Sequence, residues 1–198
     1  MQTPIGPEPD QFFHVRIVLS MIVSLGIAQL LSGVAGIVRN PQRRKADWLH
    51  LVWVLTLLLM LIHFWWWEFA LSRLLTWRFE VFFFIVAYAS LYYLLCALLF
   101  PADASDSVGF REYFMSRRRW FFGLLAAVLL LDVVDTLIKG TAYVTTLGPL
   151  EYPLRIVIGV ALCVVAAVVS NVRFQQAFAA LALLYEIAWI WRFYGVLA

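Results

Sequence analysis

The stretch WVLTLLLMLIHFWWW, residues 53–67, runs apolar or aromatic throughout except at Thr56 and His63. Strands of a membrane barrel alternate over about ten residues, whereas a continuous run of this kind is what a helix needs to sit in hydrocarbon. The fold class that follows is an all-α membrane protein.

Working outward, five more such runs complete six expected transmembrane helices at about 16–38, 48–71, 79–100, 119–139, 153–170 and 174–194. Each approaches the roughly 20 apolar residues that cross a bilayer core. The chain of 198 residues is 64% hydrophobic and 14% charged, with mean hydropathy +0.89. Soluble domains run nearer half apolar and a quarter charged, so residues 1–198 read as a single transmembrane domain. The opening MQTPIGPEPDQFFHVR has two acids, three prolines and no basic n-region before its first apolar run, and it does not read as a cleavable signal peptide.

Basic residues orient the spans. Arg39, Arg43, Arg44 and Lys45 follow span one, and Arg111, Arg117, Arg118 and Arg119 follow span three. Under the positive-inside rule both connections are cytoplasmic loops and both termini face outward. With Arg173 the inner count is nine, against six at the outer ends (Arg16, Arg73, Arg78, Lys139, Arg155 and Arg192). Trp48, Trp65, Trp66, Trp67, Trp77 and Trp120 fall where helices meet headgroups.

Two weaker patterns bear on packing. Trp77-Arg78-Phe79-Glu80 opens span three and Val172-Arg173-Phe174-Gln175 opens span six, which suggests a 3+3 inverted repeat. On span one, Ser20, Ser24, Ala28, Ser32 and Gly36 recur every four residues and form a small-residue row for close helix packing, within the chain or between subunits. Gly159, Cys163 and Ala167 make a shorter row of the same kind.

Ionisable groups inside spans are expensive in lipid and usually mark a pathway or a protein interior. Asp132, Asp135 and Lys139 share one face of span four, His63 lies on span two and Glu186 on span six. At about 1.5 Å per residue, His63 is about 22 Å from the cytoplasmic end, Asp132 about 20 Å and Glu186 about 18 Å. Tyr88 comes out near the same level, and Lys139, at a helix end, is expected to reach outward to the headgroups. The picture is a polar cluster in the outer half with an apolar inner half. It suits a water-filled vestibule above a hydrophobic constriction, and equally a structural network of mutually neutralising charges.

The functional expectation is a small transport protein, an ion channel or a pathway for protons or an inorganic cation, built as a homo-oligomer in the lipid bilayer. The alternative is a non-transporting accessory or assembly protein. The chain carries no HExxH, Gly-x-Ser-x-Gly, P-loop or Cys-x-x-Cys, so neither an enzyme nor a cofactor nor a metal is expected. Cys96 and Cys163 sit inside apolar runs as small hydrophobes. His50 is about 20 Å from His63 on one helix, too far to share a haem iron. A net charge of +3 spread over loops gives no nucleic-acid surface.

Arg16 followed by Ser20 and Ser24 resembles the first helix of bacterial potassium channels that carry an Arg…Phe-Ser-Asp motif, but the Phe-Ser-Asp is missing and their function is not carried over. The phrases HFWWWEF (63–69) and YFMSRRRWFFGLLA (113–126) resemble those of uncharacterised small bacterial membrane proteins, which implies a bacterial inner membrane and no particular activity.

Overall fold

The computed structural model describes residues 9–40, 46–74, 76–101 and 109–193. Among them every regular element is helical: α1 (Pro9–Arg39), α2 (Trp48–Trp67) with a 3-10 extension (Glu68–Arg73), α3 (Phe79–Leu98), α4 (Phe110–Ile138), α5 (Thr141–Thr146), α6 (Glu151–Val168) and α7 (Val172–Phe193). Five of them, α1, extended α2, α3, α4 and α6, are long and apolar enough to cross a membrane. The chain is an all-α membrane protein.

The sixth long helix, α7, has Arg173, Gln175, Gln176, Glu186 and Arg192 to dilute its apolar character. Its length of about 33 Å is nonetheless sufficient to span. It buries Gln175 and Glu186 against the bundle and turns Leu181, Leu184, Ile187 and Trp191 outward. A helix that hides its polar groups in protein and shows apolar ones to the surroundings suits lipid, even though its average composition is modest.

α2 is the axis of the bundle, packed on α1, α3, α4 and α7. Trp53, Leu57 and Leu61 are wholly buried along it, which is why this stretch lacks the polar face of a surface helix. It begins at Asp47, whose Oδ1 accepts the His50 backbone N–H at 3.4 Å. Beside it α1 lies on α3 at a close approach made possible by Gly33, where an added Cβ would fall 2.3 Å from the Phe100 ring.

Within the chain, that glycine seam and not the small-residue row carries the packing of α1. Ser24, Ala28 and Ser32 face out of the bundle, Ser20 and Gly36 lie at its edges, and Ser20 Oγ accepts from Trp65 Nε1 at 3.1 Å. Within the chain, α1 packs through Val15, Leu19, Val23, Gly26, Leu30 and Gly33 instead. Bulk decides this: the apolar residues of those positions fill the interior, and the two glycines admit Leu61 and Phe100.

Near the start of α4, Trp53, Phe114, Phe121, Phe122 and Phe178 form an aromatic layer, with Trp53 5.0 Å from Phe121, 5.5 Å from Phe122 and 5.6 Å from Phe178. This end of the bundle is dominated by rings, with His50 and Gln175 buried beside them. The basic group Arg111, Arg117, Arg118 and Arg119 is not in a loop, however. It lies in the first turns of α4, which starts nine residues before the expected boundary because Phe110 and Phe114, one turn apart, are already buried against the aromatic layer and His50. Arg43, Arg44 and Lys45 lie outside the described residues.

The two halves pair their helices differently. In the first, α1 packs chiefly on α3; in the second, α4 packs chiefly on α6, next in sequence among the long helices. The pseudo-twofold suggested by the Arg-Phe echo is not visible in this pairing.

Candidate functional site

At the other end of α4, Asp132, Asp135 and Lys139 share one face as their spacing requires, and the face turns inward. Lys139 Nζ bonds Asp135 Oδ2 and lies 3.0 Å from Glu68 Oε1, all three side chains being almost wholly buried. Trp67 Nε1 donates to Asp135 Oδ2 at 2.7 Å, and its ring lies 4.8 Å from the ammonium. Lys139 thus folds into the bundle and does not reach outward. Two local features allow it: Gly140, at φ 105°, ends α4 in a conformation that L side chains rarely adopt, and the 3-10 extension of α2 brings Glu68 inward as an acceptor.

A second pair lies beside the first. His63 Nδ1 and Glu186 Oε1 are 2.7 Å apart, joining α2 to α7. Arg155 Nη2 of α6 is 3.7 Å from Glu186 Oε2, and its guanidinium stacks 4.6 Å from the Trp189 ring. The Tyr152 hydroxyl contacts Asp132 Oδ2 at 3.1 Å and Thr136 Oγ1 at 2.9 Å. His63 and Trp67 stand one turn apart on α2 with their rings 5.7 Å apart, so the two groups of ion pairs are neighbours.

Of the residues expected from depth, His63 and Glu186 are brought into contact with Arg155 beside them, while Asp132 is held by Tyr152. Tyr88 is buried nearby but stacks among Phe64, Phe84 and Tyr92. Glu68, Tyr152, Thr136 and Arg155 join the cluster although their positions near span ends concealed them. The available signal was charge balance: buried carboxylates on α2, α4 and α7 require cations, and Arg155 is the basic residue one turn inside α6.

The cluster is enclosed on two sides. The aromatic layer lies toward the start of α4, and Trp67, Leu147, Tyr152, Ile156 and Trp189 form a smaller apolar core at the α5 end. Among the described residues, access comes from the side, through a cleft of about 500 Å³ between α2, α4, α6 and α7 with Glu186 and Arg155 in its wall.

Four buried carboxylates, Glu68, Asp132, Asp135 and Glu186, face two fixed cations, Lys139 and Arg155, with His63 as the remaining base. With every acid ionised the cluster stays negative even when His63 is charged. Charge buried without compensation is costly. No group of three or more His, Cys, Asp or Glu side chains among the described residues is arranged to hold a metal ion. Compared with known protein families, with curated proteins and with solved structures, the chain matches none of them.

Proposed function

We propose that this chain is a small transport protein of a bacterial inner membrane and that its cargo is the proton. The observation that carries the reading is the surplus of buried carboxylates over fixed cations around the His63–Glu186 pair. A proton suits the enclosure better than a hydrated cation, because it can pass between groups already in hydrogen-bond contact, as His63 and Glu186 are at 2.7 Å. Glu186, in the wall of the side cleft, is the exchange point, and Asp132, Asp135, Lys139 and Glu68 are the store behind it. Both termini face outward in this reading, which places the basic start of α4 in the cytoplasm. Self-association belongs to it too, since Ser24, Ala28 and Ser32 face away from the bundle.

The enclosure by two apolar cores favours a second reading, a non-transporting accessory protein whose charges only hold helices together. Purified protein in liposomes carrying an internal pH dye separates the two. Proton flux that disappears in Asp132→Asn or Glu186→Gln supports transport. Absence of flux in the unaltered protein, with a lowered melting temperature in both variants, supports the structural role.

A further inference from the structure

We propose that the cleft between α6 and α7 binds a lipophilic organic cation, its charge beside Glu186 and its apolar body between the two helices. The claim concerns binding and stands whether or not the chain carries protons.

The cleft's volume of about 500 Å³ lies within the range of ligand-sized cavities. Leu129, Ile158, Leu162 and Phe178 give it apolar walls. α6 and α7 touch each other little, and the rims they present, at Leu154, Ile158 and Leu181, are exposed and apolar. In a membrane-spanning bundle such rims meet lipid, so an occupant enters sideways from the bilayer and must itself be lipophilic. Among ions, lipid admits best those whose charge is spread over a large apolar body, because the cost of leaving water falls as the radius grows.

The wall decides the sign of that charge. Glu186 lines the cleft and keeps 7% of its side-chain surface. Its Oε1 meets His63 at 2.7 Å, whereas Oε2 has only Arg155 Nη2 beside it among the described residues, at 3.7 Å and beyond hydrogen-bond length. One carboxylate oxygen is thus left for a further cation. Arg155 repels such a cation, but Glu68, Asp132, Asp135 and Glu186 together outnumber Lys139, Arg155 and a charged His63, and in a poorly screened interior the sum sets the sign. At the mouth Glu151 is already held by Arg192, at 2.5 and 3.0 Å, and adds no net charge. Tyr185, exposed on the same wall, supplies an aromatic surface of the kind that attracts cations. An anion would meet the same negative sum and gain nothing.

The test equilibrates the full chain in dodecyl maltoside with tetraphenylphosphonium, or with tetraphenylborate, an anion of the same shape. Binding is read as the excess over Ala182→Trp, which fills the cleft, at equal detergent. One phosphonium per chain, with the borate weaker by about tenfold or more, is the expected result. Equal binding of the two ions, as in a slot that lipid tails fill without regard to charge, overturns the proposal. Phosphonium binding with no excess over Ala182→Trp does so too. In a second arm Glu186→Gln is expected to weaken the phosphonium by about tenfold, and unchanged affinity would also overturn the proposal. The comparison of the two ions needs no change in the cluster, so it decides even if Glu186→Gln fails to fold.

Discussion

Nδ1 of His63 stands 2.7 Å from Oε1 of Glu186, a contact that ties the central helix α2 to α7 between side chains that are both more than nine-tenths buried. Removing one member leaves the other without its partner in the bundle interior. Glu186→Ala is expected to destabilise the protein by about 3–5 kcal/mol, the range for breaking a buried ion pair. Adding His63→Phe should return part of that loss, with a coupling of about 1–3 kcal/mol between the two sites. Unfolding of the four proteins in detergent gives the cycle, and strict additivity would show that the contact has no energetic content.

Lys139 lies between Glu68 and Asp135 and bonds both. In Lys139→Met both acids lose their cation, and a loss of about 3–5 kcal/mol follows. Neutralising the acids at the same time, with Glu68→Gln and Asp135→Asn, should restore most of the stability, because no unpaired charge then remains. Melting temperatures of the single and triple variants check this; a triple variant as weak as Lys139→Met contradicts it.

Two helical glycines make opposite predictions. At Gly33 an added methyl meets the Phe100 ring, so Gly33→Ala is expected to lower stability by about 1–3 kcal/mol as α1 is pushed off α3. At Gly123 nothing lies within 4 Å, and Gly123→Ala should raise stability by about 0.5–1 kcal/mol through helix propensity alone. Parallel thermal scans decide, and equal effects of one sign would count against the α1–α3 seam.

Orientation is open to labelling without removing native thiols, since Cys96 and Cys163 are both buried. Ser72→Cys, at the exposed turn after α2, is expected to react with a membrane-impermeant maleimide from outside the cell. Asn40→Cys, at the exposed end of α1, is expected to react only after the inner face is opened. The reverse pattern would invert the proposed topology.

The helical class was legible in residues 53–67 because backbone groups in lipid leave no other use for an unbroken apolar run. The meeting of His63 and Glu186 was legible as well, since rise per residue is constant and both counted to nearly the same level. Which helix-end residues fold inward was not. Glu68 and Lys139 meet because of a 3-10 turn and a glycine at positive φ, features of chain path that periodicity does not encode. Which face of α1 packs within the chain was left open for a related reason. Both sides of a lipid-embedded helix are apolar, so hydrophobicity cannot tell the interior from the exterior. The row of small residues with the cleaner four-residue spacing was the outer one, while Gly26 and Gly33 marked the seam.

The aromatic layer of Trp53, Phe114, Phe121, Phe122 and Phe178 also has an electrical meaning. A full charge moved across a membrane at 100 mV exchanges about 2.3 kcal/mol with the field. The ionisable cluster lies on one side of this layer, so in the proposed transport reading a proton that reaches Glu186 through the side cleft from that side travels through only part of the voltage. The remainder of the field falls across rings that carry no charge to respond to it. In that reading occupancy of the cluster is governed mainly by the proton concentration on its own side, and membrane voltage acts chiefly on passage through the aromatic layer.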